Sequence, residues 1–257
     1  CGIVGLKPTY GEVPVEAVVP LCASFDHAGP ITRTVADAAM MWAVMSGAAS
    51  TLPEAPRRLR LGVPSEYFFD LLEDGVGAPW DAAIAALEDK HCAIERGSIP
   101  DAASTPDAYV PIVFRESYAW HREHLTRCPE RYVPAVGERL AMGANVTAED
   151  YARAMALRAA LTTQVERAMA DVDAIALPTL AVMAPPLGTS EIAFGDERVP
   201  VRTLMMRLTQ LFDITGHPAI TIPMRAHPMP AGFQLVGRRG ATADLLAAAS
   251  MVERLLA

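Results

Sequence analysis

Two histidines three residues apart, His121 and His124, are the first residues whose types and spacing suggest chemistry. Side chains three apart share one face of a helix, and two imidazoles on one face can ligate a metal ion. Glu123 lies between them, however, so the stretch lacks the His-Glu-x-x-His spacing of zinc hydrolases. We therefore interpret this stretch as a solvated helix face and predict no metal site.

The spacing of the residues does not identify a catalytic nucleophile either. No Gly-x-Ser-x-Gly elbow surrounds any serine, and the glycines near the start lack the pattern of a dinucleotide-binding turn. The sequence has four cysteines: Cys1, Cys22, Cys92 and Cys128. None belongs to a Cys-x-x-Cys pair, so we predict reduced, mostly buried thiols of a cytosolic protein. Residue types and spacing alone indicate an α/β enzyme-like domain whose activity is undetermined.

The composition of the chain argues against some classes of binding partner. The chain has 257 residues, of which 51% are apolar, so it is long enough to bury a sizeable core. A net charge of −8 disfavours nucleic-acid surfaces and anionic membranes, because phosphates are bound by clustered Lys and Arg. No apolar run reaches the roughly 20 residues of a membrane-spanning helix. We predict no direct contact with nucleic acid or membrane.

Alternating patterns of strand and helix predict the elements that must position any site. Helices are predicted at residues 34–47, 79–90, 147–170 and 241–257, and Thr147 has the side chain of a helix N-cap. Strands are predicted at residues 59–63, 91–100, 173–179, 218–224 and 232–237. The Pro-rich residues 184–188 and 227–230 are predicted to be loops. This order favours an α/β layered fold around a mixed sheet.

Four segments carry motifs that occur together in one known family. In the first, residues 5–11 read Gly-Leu-Lys-Pro-Thr-x-Gly, residues 24–26 read Ser-x-Asp, and residues 29–34 read Gly-Pro-hydrophobic-x-Arg-Thr. The other three segments are a Pro-Thr strand with its Ala-Pro loop, a Gly-x-Pro-Ala turn, and a closing strand and helix, at residues 171–188, 209–223 and 232–253. In this order they resemble the amidase signature family of amide hydrolases. The resemblance implies that family's fold, a mixed β-sheet core covered by helices on both faces.

The resemblance also implies where the catalytic residues lie. In the family, a Cys-Gly like the one at the start of this chain closely follows the acyl-accepting serine. A second serine and a lysine lie further upstream. Residues 1–257 would then be the C-terminal part of a single amidase domain, beginning just after the nucleophile loop and containing no catalytic residue. The implied reaction is acyl transfer to serine, in which the neutral lysine accepts a proton through the second serine, with no cofactor or metal.

Substrate-binding residues are expected in residues 201–216, which resemble the family's pocket helix and turn. Thr203, Met206 and Gln210 are three and four residues apart, so we predict that they share one helix face. Met206 is equally consistent with a core position. Thr209 matches a common threonine of the family. Asp213 replaces a frequent asparagine, and it would either bring a charge to the substrate or cap a turn.

Three charged residues near the start are predicted to be structural. Lys7 lies in the Lys-Pro-Thr turn, and we expect it to form an ion pair and to have no part in catalysis. Asp26 and Arg33 are expected to pair with each other and to brace the segment behind the nucleophile.

Two other functions remain open. One is the glutaminase component of a transamidation complex, whose partner would contact the transfer RNA. The other is a non-catalytic fragment or scaffold that binds a partner. For the favoured amidase, the expected substrate is a small-molecule amide of undetermined identity, and the expected assembly is a homodimer.

Overall fold

The computed structural model describes residues 1–49, 51–90, 92–224 and 229–256. These residues form eight α-helices: α1 Val35–Ser46, α2 Asp74–Asp89, α3 Thr105–Arg127, α4 Pro134–Ala141, α5 Ala148–Ala168, α6 Val201–Arg207, α7 Gln210–Ile214 and α8 Thr242–Leu256. The same residues form nine strands: β1 Val4–Lys7, β2 Ile31–Thr32, β3 Arg60–Pro64, β4 Ala93–Gly97, β5 Ala174–Pro178, β6 Glu191–Phe194, β7 Glu197–Pro200, β8 Ala219–Met224 and β9 Ala231–Val236.

Seven of the described strands form one mixed sheet in the order β2-β1-β8-β9-β5-β3-β4. The pairs from β2 to β5 are antiparallel, whereas β5, β3 and β4 run parallel. Strands β6 and β7 form a separate antiparallel hairpin. The first strand of the chain therefore lies beside β8, which follows it by more than 200 residues.

Both faces of the sheet are covered by helices, as the sequence predicted. In β5, Ala174 and Ala176 face the core beneath α1, α2 and α8, whereas Ile175 and Leu177 face the core beneath α3, α5 and α7. Successive side chains of a strand point to opposite faces, so a strand buried on both sides must be apolar throughout. This explains the uninterrupted apolar sequence of β5.

Local capping fixes two of the predicted helix starts. Thr34 accepts a hydrogen bond from the Asp37 amide (3.1 Å) at the start of α1, and Gly47 ends that helix with a left-handed φ of 71°. Thr147 and Asp150 form a reciprocal capping box at the start of α5. Both starts agree with the sequence prediction because the interactions involve residues only three apart.

Other boundaries differ from the sequence prediction. Helix α2 begins at Asp74, five residues before the predicted start, and continues through Pro79. Helix α3 has 23 residues, and only the stretch around His121 and His124 was predicted to be helical, because Pro106 and Pro111 interrupt the pattern before it. Its packing against α5 holds it helical despite the prolines. Parts of three predictions lie outside the described residues: His91 of the strand at 91–100, residues 227–228 of the loop at 227–230, and Ala257 of the helix at 241–257.

Among the residues that the structure describes, no helix combines the length and the apolar character needed to cross a membrane.

Candidate active site

A cavity of about 440 Å³ lies between the end of β1, the loop before β2, helix α7 and strands β8 and β9. The residues with polar side chains in its wall are Lys7, His27, Tyr109, Thr179, Thr209, Gln210, Asp213, Thr221 and Gln234. They come from distant parts of the chain, and the antiparallel pairing of β1 with β8 brings them together.

Four of the five predicted substrate-binding residues line this cavity: Met206, Thr209, Gln210 and Asp213. Thr203 is exposed and is not among the described residues of the cavity wall. The prediction of one shared helix face was wrong, because Thr203 and Met206 lie in α6, which ends at Arg207, whereas Gln210 begins α7. The substrate-binding role of all five residues stays a prediction.

A buried glutamine stabilises the break between α6 and α7. The side-chain amide of Gln234 in β9 donates a hydrogen bond to the Leu208 carbonyl (3.0 Å), which the interrupted helix leaves without a helical partner. Thr209, at the break, donates to the Met206 carbonyl (3.3 Å). The sequence reasoning missed Gln234, although a lone amide within the apolar strand β9 is a signal that could have identified it.

Lys7 is held by oxygen and nitrogen acceptors, and the expected ion pair does not form within the described residues. Its ammonium donates to the His217 carbonyl (2.6 Å) and the Pro8 carbonyl (3.3 Å), and it lies 3.3 Å from Nε2 of His27. These three acceptors match the three hydrogens of an ammonium group. Burial lowers the pKa of Lys7 to about 8, although the negative charges of Asp213 and Glu12 oppose the shift.

His27 connects Lys7 to Asp213. Because the Lys7 ammonium faces Nε2, that ring nitrogen is the acceptor and the imidazole proton lies on Nδ1. Nδ1 then donates to the Phe25 carbonyl at 2.5 Å, and it also lies 3.1 Å from Oδ1 of Asp213. The side chains of Lys7, His27 and Asp213 therefore lie next to one another along the cavity wall. Sequence reasoning identified Asp213 but missed its partner.

The ring of His217 has a separate structural role. Thr215 donates its hydroxyl to the Leu211 carbonyl (2.8 Å), so its oxygen accepts from Nδ1 of His217 (2.9 Å). Burial, followed by the charges of Arg239 and Lys7, lowers the pKa of His217 to about 3. His217 is therefore neutral, and it serves the cavity through its backbone carbonyl.

The loop that carries His27 is anchored by a carboxylate from helix α3. Glu116 accepts hydrogen bonds from the Ser24 amide (2.9 Å) and hydroxyl (2.6 Å), the Tyr151 hydroxyl (2.8 Å) and the Cys22 thiol (3.2 Å). Burial alone would raise the pKa of Glu116, but these hydrogen bonds outweigh it and the pKa lies below its usual range. Burial and the Glu116 charge raise the pKa of Cys22, so this thiol stays protonated. Sequence reasoning did not identify Glu116.

Arg158 of helix α5 joins the same loop to helix α7. Its Nε donates to the Ile214 carbonyl (2.6 Å), and its terminal nitrogen donates to the Ser24 carbonyl (3.1 Å). The guanidinium carbon also lies 4.9 Å from the ring centroid of Phe25. One rigid side chain therefore sets the spacing between the neighbours of His27 and of Asp213.

The Asp26–Arg33 pair that the sequence suggested is not formed in the described chain. The Asp26 carboxylate instead accepts from the amides of Leu21 (2.9 Å) and Cys22 (3.1 Å), so it closes a local turn. A carboxylate four or five residues from free backbone amides is better satisfied by them than by an exposed arginine.

His124 is exposed, as predicted, whereas His121 differs from the predicted solvated face. His121 is buried, with Nδ1 2.9 Å from the Tyr132 hydroxyl and Nε2 3.2 Å from the Pro20 carbonyl. Both ring nitrogens thus have protein partners. The described residues contain no group of three or more His, Cys, Asp or Glu that could hold a metal ion.

A second cavity, of about 350 Å³, adjoins the first. The two share four wall residues, Gly5, Ile31, Thr179 and Thr221, and the second is also lined by Cys1. The Thr179 and Thr221 hydroxyls lie 2.6 Å apart. A Cβ at Gly232 would lie 2.5 Å from the Thr179 hydroxyl oxygen, so this position requires glycine. The start of the chain therefore reaches the same site as Asp213.

Comparison with known proteins gives one consistent result. The family model described as Amidase matches residues 1–246. The 2-amino-5-chloromuconic acid deaminase of Comamonas testosteroni is 32% identical over 263 residues, covering 99% of this chain and 56% of that protein. One component of the glutamyl-tRNA(Gln) amidotransferase of Roseobacter denitrificans is 30% identical over 303 residues, covering 98% of this chain and 59% of that protein.

A solved structure described as an amidase superimposes with a TM-score of 0.94 and 33% sequence identity, covering 100% of this chain and 59% of that one. The chain thus spans between half and two thirds of the length of these proteins.

Proposed function

The chain belongs to the Amidase family, and on that premise we propose that the whole protein hydrolyses the C–N bond of a small carboxamide or acylamide. The reaction would be acyl transfer to a serine encoded before Cys1, activated by a second serine and a lysine that also precede it. Residues 1–257 would be the C-terminal part of a single amidase domain. They would supply the wall of the substrate pocket, including Met206, Thr209, Gln210 and Asp213.

One observation carries this proposal: Cys1 and Asp213 line two cavities that share part of their wall. A serine a few residues ahead of Cys1 would enter this site beside the Thr179 and Thr221 hydroxyls. The side chains that sequence reasoning assigned to the substrate would then face the same space. The position of Cys1 is thus what the proposed mechanism requires.

Lys7 has no catalytic role in this proposal. Its ammonium already donates to two carbonyls and to His27, so no proton is left for a substrate. Its function is to fix β1 against the turn that contains His217. The proton acceptor must therefore come from the part of the protein that precedes this chain.

The test uses the whole protein, expressed from its complete reading frame. We expect it to release ammonia or amine from at least one compound in a panel of aliphatic amides, aryl amides and glutamine. We also expect a fluorophosphonate probe to label a serine that precedes Cys1. A natural protein whose intact mass is near 27.5 kDa, with no labelling and no hydrolysis, would support the non-catalytic scaffold instead.

The glutaminase of a transamidation complex is the second candidate, and the relative from Roseobacter denitrificans favours it. Glutamine carries an α-carboxylate, for which such a site needs a free cation. Among the described residues of the cavity wall, Lys7 and His27 are the basic side chains, and both are engaged with each other and with carbonyls. A glutaminase would release ammonia from glutamine faster than from simple aliphatic amides. We favour the amidase.

The cellular location and the oligomeric state of the protein are two further proposals. All four cysteines lie in the described residues and none forms a disulfide, which supports a cytoplasmic location. A homodimer is the assembly we propose, and no direct contact with nucleic acid is expected. Sedimentation of the whole protein tests the homodimer.

A further inference from the structure

The carboxylate of Asp213 is bound on one side only. Its Oδ1 lies 3.1 Å from Nδ1 of His27, whereas the described residues give Oδ2 no hydrogen-bond or ion-pair partner. The side chain is 31% exposed, and it contributes the only carboxylate among the described residues of the cavity wall. A polar atom left free at a cavity wall is available to a ligand.

A histidine and a lysine lie behind the Asp213 carboxylate. Nε2 of His27 faces the Lys7 ammonium, whereas Nδ1 faces the Phe25 carbonyl at 2.5 Å and Oδ1 of Asp213 at 3.1 Å. The positive charge of Lys7 lies on the far side of the imidazole ring, where its three hydrogens are taken by protein acceptors. The Asp213 carboxylate therefore presents its negative charge to the cavity, whereas the balancing Lys7 ammonium lies behind the His27 ring.

The contacts of the Asp213 side chain do not support its alternative role, the capping of a turn. The backbone of Asp213 takes part in helix α7, with its amide donating to the Thr209 carbonyl and its carbonyl accepting from the Gly216 amide. Within the described residues, its side-chain oxygens accept from no backbone amide. The Asp213 side chain instead lies in the cavity wall beside the His27 ring.

We propose that Asp213 is a specificity-determining residue that binds an ammonium group carried by the amide substrate. The inference rests on the proposed amidase function and names the substrate class of that site: small amides with a positively charged substituent. The ammonium would donate to Oδ2 of Asp213. The Thr209 and Gln210 side chains, which line the same cavity, would contact the polar atoms nearby.

The expected size of the preference for charged substrates can be tested by removing the charge of Asp213. An ammonium paired with a partly desolvated carboxylate is stabilised more strongly than a methyl group at the same place. Asparagine keeps the shape and an acceptor oxygen of aspartate but removes the charge. We expect Asp213→Asn to lower the preference for the charged substrate by a factor of about 10 or more.

Two pairs of isosteric amides test the proposal on the whole protein. The first pair, 5-aminopentanamide and hexanamide, differs by an ammonium or a methyl at the end of the acyl chain. The second, N-(3-aminopropyl)acetamide and N-butylacetamide, carries the same difference on the amine side. The measurement is the ratio of kcat/KM for the charged and neutral member of each pair.

We expect the wild-type protein to favour the charged member of at least one pair, and Asp213→Asn to abolish that preference, so that the ratio of kcat/KM within the pair falls. Asp213→Ser is a second charge-removing variant in case the first folds poorly, and Asp213→Glu should keep part of the preference. Asp196→Asn, on the exposed turn between β6 and β7, is the matched control and should leave the ratio unchanged.

The outcomes separate this inference from the proposed function. A wild-type protein that hydrolyses amides but favours the neutral member of both pairs overturns the role of Asp213 and leaves the amidase intact. An unchanged ratio in the charge-removing variants does the same. If the whole protein hydrolyses no amide of the wider panel, the proposed function itself is wrong and the inference falls with it.

Discussion

Lys7 donates a 2.6 Å hydrogen bond to the backbone carbonyl of His217, a residue 210 positions later in the chain. The bond joins the end of the first strand to the turn that precedes β8, and the antiparallel pairing of β1 and β8 begins beside it. A charged side chain thus fixes the register of the two strands that form one wall of the candidate site.

The burial of Lys7 predicts an unusual dependence of stability on pH. Its pKa is about 8 in the folded protein and 10.5 when exposed, so the unfolded state binds more protons between these values. Stability should therefore rise with pH across this window. We expect the free energy of unfolding of the wild type to gain about 2 kcal/mol, relative to Lys7→Met, between about pH 7 and about pH 10. Urea unfolding of both proteins at the two pH values measures it, and identical pH profiles would contradict the burial of Lys7.

Replacement of Glu116 should destabilise the loop that carries His27. In Glu116→Gln, one side-chain oxygen becomes an NH₂ group that faces the donors of Ser24, Tyr151 or Cys22. We expect a loss of about 2 kcal/mol in the free energy of unfolding near neutral pH.

The effect of Glu116→Gln has a defined pH dependence. The folded pKa of Glu116 lies below its ordinary 4.5, so its contribution is complete above that value and is lost as pH falls through the folded pKa. The gap between wild type and variant should therefore close in acid. Glu123→Gln, which removes only an exposed pair with Arg127, is the control and should cost no more than about 0.5 kcal/mol. Equal effects of the two substitutions would show that Glu116 does not anchor the loop.

Gly29 allows the His27 loop to lie directly on β1. A Cβ at Gly29 would be 2.0 Å from the Leu6 carbonyl oxygen, and backbone atoms cannot yield as a flexible side chain can. We expect Gly29→Ala to destabilise the protein by about 2 kcal/mol or more and to lower kcat/KM, because the loop must move away from the cavity. In Gly77→Ala, the new Cβ would meet its nearest atom at 3.6 Å inside helix α2, so stability should be unchanged or up to about 1 kcal/mol higher. Thermal unfolding of the two variants provides the comparison.

Arg158→Lys tests whether the spacing between the His27 loop and helix α7 depends on a guanidinium. Lysine keeps the charge but lacks the planar fork that reaches both the Ser24 and Ile214 carbonyls. We expect a loss of about 1–2 kcal/mol in stability and a reduced kcat/KM. Arg153→Lys, on the exposed part of the same helix, should leave both quantities close to wild type. The interpretation fails if the two variants behave alike.

Several elements could be predicted from the sequence because their causes are local. The start of α5 is defined by Thr147 and Asp150, and the end of α1 by Gly47, all within one turn of the helix they limit. Strand β5 is recognisable because each of its residues is buried and apolar. Alternation of such elements was sufficient to predict a layered α/β fold around a mixed sheet, and the family resemblance implied helices on both faces.

The boundaries that could not be predicted depend on distant partners. Helix α6 ends before Thr209 because Gln234, in another element, satisfies the Leu208 carbonyl at the break. No pattern within residues 201–216 contains that information, and so the predicted face that joined Thr203 to Gln210 was incorrect. Helix α3 likewise depends on packing against α5, which outweighs the effect of its prolines.

For this protein, the sequence by itself determined the types and order of several elements, the family resemblance, and that Asp213 was a candidate for contact with substrate. Only the tertiary structure decided that Lys7, His27 and Asp213 lie next to one another in the cavity wall, that Thr203 lies apart from them, and that Lys7 has no carboxylate partner among the described residues. The physical reason is the distance along the chain over which each interaction acts. Helix caps and apolar periodicity involve residues only a few positions apart. The cavity is formed where β1 pairs with β8, and that pairing depends on the packing of the whole sheet.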